Sequence, residues 1–109
     1  MSAIEAPRQV VVRSADDWEA LWRAHGRGRV MPAVDFSQQM VVGVFLGSRP
    51  TAGYGVEIVS ADVNDGTLAV RYRETRPRSD SITAQVITSP FHLVAVPKTD
   101  GDVKFETIR

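Results

Sequence analysis

The run Met40-Val41-Val42-Gly43-Val44-Phe45-Leu46-Gly47 is nearly continuous hydrocarbon, and it constrains the fold more than any other stretch of the chain. It is too short and too rich in β-branched residues for a helix, so it predicts a strand. Strands with one wet face alternate apolar and polar residues; this one does not. It reads as a central strand buried on both faces.

The segments around it are shorter and more patterned. Arg8-Gln9-Val10-Val11-Val12-Arg13 is β-branched and predicts a first strand. Ser14 opens Ser-Ala-Asp-Asp, a helix-capping pattern whose acids suit a helix N-terminus. Trp18, Leu21, Trp22 and His25 then share one helical face, and Gly26 and Gly28 stop the helix. In the loop 27–38, Val34 and Phe36 are expected to tuck inward and Asp35 to hold a turn.

Strand 54–63 follows, with Tyr54, Val56 and Ile58 alternating with Gly55 and Glu57. Asn64-Asp65-Gly66 is a strong hairpin signal leading into 67–73, where Leu68, Val70 and Tyr72 face one way and Ala69, Arg71 and Arg73 the other. Residues 82–87 predict a strand broken by Ser89-Pro90, and Phe91–Val96 a buried one ended by Pro97. Thr99-Asp100-Gly101-Asp102 reads as a second hairpin turn into 103–108. The sum is an α+β fold. About seven strands form a mainly antiparallel sheet, or a partly closed β-barrel or sandwich, with one N-terminal helix packed on it through its Trp face.

A chain of 109 residues is one domain. Thirteen basic and thirteen acidic residues cancel, so no net field draws it to nucleic acid or an anionic membrane. No apolar run approaches the ~20 residues that span a bilayer. With no cysteine, disulfides, thiol catalysis and cysteine-based metal sites are excluded. The N-terminus lacks the charged start and apolar stretch of a signal peptide. The expected location is therefore the cytoplasm if the chain is full length as written, and the cell envelope or exterior if a leader was removed.

Other chemistries find little support. A serine triad would need His25 or His92, and no Gly-x-Ser-x-Gly is present; His92, between Phe91 and Leu93, faces opposite to them. Asp62-Val63-Asn64-Asp65-Gly66 suggests a calcium loop, but Arg73 stands where that loop requires Glu. Asp16 and Asp17 are accounted for by the helix cap. The expectation is no enzyme, no metal and no cofactor. Eleven of the thirteen cations are arginine, with Arg71, Arg73, Arg76 and Arg78 in one region and Arg23, Arg27 and Arg29 in another. Aromatic residues for base stacking are scarce among them, so a solvated face or an acidic protein partner is the expected reading.

One surface stands out. Arg49-Pro50-Thr51-Ala52-Gly53-Tyr54 is a glycine-punctuated turn between two apolar runs. Pro50 fixes φ and Gly53 permits a conformation that a Cβ would resist. A stiff loop presents side chains to a partner at low entropic cost. Arg49, Pro50, Thr51, Gly53 and Tyr54, with Arg76 and Pro77 of the next loop and the Pro90-Phe91 corner, form the candidate binding surface.

An ordered series of elements resembles the C-terminal domain of the protease-complex subunit PrcB. It runs through Asp17-Trp18, Leu21-Trp22, Pro32 and Asp35-Phe36-Ser37 to Phe45-Leu46-Gly47. It continues with Arg49–Tyr54 and Val56-Glu57-Ile58, and closes with Thr88–Lys98. The resemblance covers roughly residues 9 to 107 and implies one PrcB C-terminal-like domain over 1–109. It also implies a non-enzymatic accessory role that stabilises or assists a protease complex, with a protein partner such as a subtilisin-like protease. Ala52 departs from the family's usual glycine pair. Pro50-Thr51-x-Gly53-Tyr54 is also similar to a loop of chagasin-type cysteine-protease inhibitors, which implies an alternative: direct inhibition through the 49–54 turn.

Overall fold

The structure is a computed structural model that describes residues 2–26, 28–80 and 82–108; Arg27, one of the arginines in the cluster after the helix, lies outside them. Among the described residues the order is β1 (Arg8–Val12), α1 (Ala15–His25), β2 (Gln39–Phe45), β3 (Gly55–Asn64), β4 (Thr67–Thr75), β5 (Phe91–Pro97) and β6 (Val103–Ile108). An isolated bridge between Arg49 and Thr88 adds one further pairing. The strands form two three-stranded sheets, β1-β2-β5 and β3-β4-β6, and no closed barrel.

Strand β2 sits at the centre of the first sheet, antiparallel to both neighbours. Its side chains leave in two directions. Met40, Val42 and Val44 join Ile58, Leu68, Val70 and Tyr72 of the second sheet in an inter-sheet core. Val41 and Phe45 point the other way and pack with Val10, Val12, Trp18 and Leu21 under the helix. Every residue from Met40 to Phe45 is buried, as the unbroken apolar run requires.

The helix follows its sequence signals closely. The Ser14 hydroxyl accepts the Asp17 N–H at 3.2 Å, and Gly26 closes the last turn by donating to the Trp22 carbonyl at 2.7 Å. Both indole N–H groups donate to the following loop, Trp18 to Pro32 and Trp22 to Arg29. Within that loop the Asp35 carboxylate accepts from the backbone and hydroxyl of Ser37. These bonds hold its carboxyl below the usual range.

Two connections differ from the sequence expectation. The 99–102 segment does not close a hairpin: β5 and β6 lie in different sheets, and β6 runs parallel to β4. A turn sequence specifies a reversal of direction, not the strand that receives the chain afterwards. Gly101 approaches the tip of the β3–β4 hairpin so closely that a Cβ would collide with the Gly66 carbonyl oxygen, and the Asp102 carbonyl accepts the Leu68 N–H of β4 at 2.8 Å. Residues 82–87 form no strand: the Ala84 carbonyl accepts the Val86 N–H in a tight turn and the Ala52 N–H from the other connection. The Asn64-Asp65-Gly66 hairpin forms as its residues predict, with Asp65 and Gly66 both at positive φ.

His92 stitches the two sheets. It faces away from Phe91 and Leu93, and its Nδ1 accepts the Ile58 N–H at 2.7 Å, beside the bulge where β3 shifts register between Ile58 and Ser60. Accepting at Nδ1 puts the ring hydrogen on Nε2. Replacing His92 by Leu keeps the bulk but removes the acceptor, leaving a partly buried N–H unmet. We expect a loss of about 1–3 kcal/mol in urea unfolding, with the Ile58 amide among those whose hydrogen exchange accelerates most. An unchanged Ile58 exchange rate would show that the bond contributes nothing.

Candidate functional site

Both long connections between the sheets, β2 to β3 and β4 to β5, cross at the same end of the molecule, and there they bind each other. Arg49 and Thr88 exchange backbone hydrogen bonds at 2.7 and 2.9 Å. The Thr88 hydroxyl donates to the Thr51 carbonyl at 3.0 Å, and Ala52 N–H donates to the Ala84 carbonyl at 3.1 Å. The turn at 49–54 is thus no hairpin. It is an inter-sheet crossing pinned along its length by residues 84–88.

Gly53 has φ +95, and a Cβ there would stand 2.8 Å from the Pro77 Cβ. The second loop therefore lies directly against the first. The Arg49 guanidinium carbon sits 5.5 Å from the centre of the Tyr54 ring, a cation–π contact worth about 0.5–1 kcal/mol at a partly exposed site. Arg49, Pro50, Thr51, Gly53, Tyr54, Arg76 and Pro77 thus gather on one rim, which sequence alone had no means of establishing.

Pro90 and Phe91 do not join them. Pro90 is buried, and its carbonyl accepts the Leu46 N–H at 3.0 Å. The Phe91 ring packs on the helix side, 4.2 Å from the His25 ring centre and stacked near Phe45. A proline-aromatic corner reads as surface, yet here it turns the chain into β5 and fills core space.

The residues that sequence reasoning missed lie on the 82–88 segment. Ile82 is fully exposed, Ile87 is 74% and Val86 51% exposed. Their β-branched pattern signals a strand and hence burial. Held to the turn through Ala84 and Thr88, the segment presents these side chains to solvent instead. Single exposed apolar residues are ordinary, but several together beside a rigid turn are not.

The titratable groups near the helix are structural. His25 is 0% exposed, its Nδ1 is 2.7 Å from the buried Ser2 hydroxyl oxygen, and its Nε2 has no partner. The Ser2 oxygen also accepts the Ile4 N–H. Rings of Trp22, Phe45 and Phe91 enclose the imidazole, so no substrate reaches this serine–histidine pair. Burial, then the charge of Arg29, lowers the His25 pKa. Among the described residues no three His, Asp or Glu side chains gather as a metal site would require.

Comparison with known proteins places this scaffold. The profile of the PrcB C-terminal family matches residues 40–97, more than half of the chain. The chain belongs to the PrcB C-terminal family. No curated protein and no solved structure matches it. In this PrcB C-terminal domain the matched span begins at β2 and ends with β5, so it contains the two long inter-sheet crossings and the rim they build. No helix among the described residues is long and apolar enough to cross a membrane.

Two measurements follow. Because the folded state resists protonating His25, the unfolded chain binds the extra proton first as pH falls below about 6.5. Stability is full above that pH and declines as pH falls below it toward the lowered folded-state value. Urea midpoints should fall across that window, and His25→Phe should flatten the dependence. Gly53→Ala should cost about 1 kcal/mol or more in thermal unfolding. Gly28→Ala, at φ +81 with nothing within 4 Å, isolates backbone strain from the Pro77 collision; equal losses in the two variants would show that the Pro77 contact does not matter.

Proposed function

We propose that this PrcB C-terminal domain is a non-enzymatic protein-binding module that docks on a component of a protease complex and stabilises it. The observation that carries the reading is the rim. Two crossings from different sheets lock each other in place and present Pro50, Arg76, Ile82, Val86 and Ile87 outward from a rigid base. A preorganised surface of mixed apolar and arginine character suits a protein partner, since little entropy is lost on docking. Family membership supports the protease context, with a subtilisin-like protease as the partner in view.

The burial of the His25–Ser2 pair supports a binding role over a hydrolytic one. Direct inhibition of a cysteine protease would need the 49–54 turn to enter a cleft as a free wedge. Its attachments to Ala84, Thr88 and Pro77 favour a broad docking face instead.

Affinity capture from the native cell with the wild-type chain should return a protease or its propeptide. Ile87→Asp, at a site 74% exposed, should leave the melting temperature within about 2 °C of wild type and reduce capture at least about tenfold. Purified partner should also inactivate more slowly with the wild-type chain than with Ile87→Asp. Equal capture by the two proteins would remove the rim as the docking site, and a captured set without a protease component would remove the protease reading.

A further inference from the structure

We propose that the groove beside the rim, at the seam between the two sheets, binds a carboxylate carried by an extended polypeptide, with Arg49 and Arg8 as its ligands. The groove has a volume of about 380 Å³, and its polar wall is Arg8, Gln9, Arg49, Tyr72 and Glu74. It opens where the start of β1, the end of β2 and the end of β4 meet.

The polar wall is unevenly satisfied. The Gln9 amide donates to the Tyr72 hydroxyl at 3.0 Å and closes the seam. Glu74 is shared with Arg76 at 4.0 Å. Arg8 and Arg49 have no acidic partner among the described residues. The Arg49 Nε is shut off from solvent and has no hydrogen-bond acceptor, although its guanidinium is oriented by Tyr54. A ligand approaching from the groove therefore meets the terminal amino groups of this guanidinium rather than Nε. A planar carboxylate supplies two acceptors at the spacing of that fork.

The wall also selects among anions. Two guanidinium groups attract negative charge, while Glu74 opposes it, so a singly charged carboxylate fits better than a phosphate dianion. The volume is at the lower end of the ~300–1,000 Å³ range of ligand sites, which suits an acidic side chain with its adjacent main chain. A polypeptide is the source because Arg49 belongs to both surfaces: its backbone bridges Thr88, next to exposed Ile87. A partner lying on the rim would place an acidic residue in the groove and apolar neighbours on that isoleucine. In this respect the inference rests on the protein-docking reading.

The test is a titration of the isotope-labelled domain with the capped peptide Leu-Ala-Glu-Ala-Leu, its Gln counterpart, acetate and inorganic phosphate. The Glu peptide should shift the Arg49 Nε–H and the Gln9 and Leu46 amides in a saturable, salt-sensitive manner. The Gln peptide should bind about tenfold more weakly or worse, and Arg49→Gln and Arg8→Gln should each weaken the Glu peptide by a similar factor. Arg49→Lys provides the same test should Arg49→Gln fail to fold. Equal binding of the Glu and Gln peptides, no saturable shift at these positions, or shifts mapping elsewhere would overturn the site. Phosphate binding more tightly than the Glu peptide would overturn the choice of anion, and acetate binding as tightly would overturn the polypeptide source. Capture separates the two proposals: if Ile87→Asp loses the partner while Arg49→Gln retains it, docking stands and the carboxylate site falls. If both variants retain it, both fall.

Discussion

Strand β2 gives neither face to water, and the rest of the molecule is arranged around that requirement. Five of its side chains, Met40, Val41, Val42, Val44 and Phe45, are 3% exposed or less. Burying each contributes about 1.5–3 kcal/mol, a total comparable with the ~5–15 kcal/mol net stability of a whole domain. Met40, Val42 and Val44 need the second sheet, and Val41 and Phe45 need the helix. Removing either cover would expose a continuous apolar surface, so helix, first sheet and second sheet are held as one stack by a single strand.

That stack forces the chain to alternate between sheets. It enters the first with β1 and β2, the second with β3 and β4, returns for β5 and leaves again for β6. Each crossing passes over the open seam between the layers, where backbone groups need partners outside any ladder. The β2–β3 and β4–β5 crossings supply them to each other through Arg49, Thr51, Ala52, Ala84 and Thr88. Farther along, His92 and Ile58 close the seam by one bond, and Gln9 and Tyr72 by another. The candidate binding surface is therefore a by-product of connecting two sheets: where crossings meet, the chain is rigid, irregular and exposed. Arg8 and Arg49, without an acidic partner among the described residues, line the groove at the same place.

Much of the local structure was legible beforehand. Ser14 as cap, the Trp18–Leu21–His25 face, the two-sided burial of β2, the Asn64–Gly66 hairpin and the inward Leu68–Val70–Tyr72 row all follow from neighbours within a few residues. The misreadings share one cause. The β-branched residues at 82–87 favour extended backbone, but whether a strand lies beside them depends on residues far away in the chain. The turn at 99–102 reverses the chain without naming its next partner. Pro90 and Phe91 look like a surface corner until His25 and Phe45 arrive against them. For the rim, Pro50 and Gly53 marked a stiff turn, but nothing local linked Gly53 to Pro77 or Arg49 to Thr88.

By itself, then, the sequence determined which segments are helical or extended, which faces are apolar, that thiol chemistry is absent, and the family whose pattern the chain follows. These are short-range properties, fixed by side-chain period, capping and backbone preference. Only the tertiary structure decided which strands share a sheet, that β6 runs parallel to β4, that His25 sits fully enclosed, and that two loops far apart in sequence form one surface. Those outcomes depend on contacts between distant residues, formed because an apolar strand has to be covered on both sides and the chain must cross from one cover to the other.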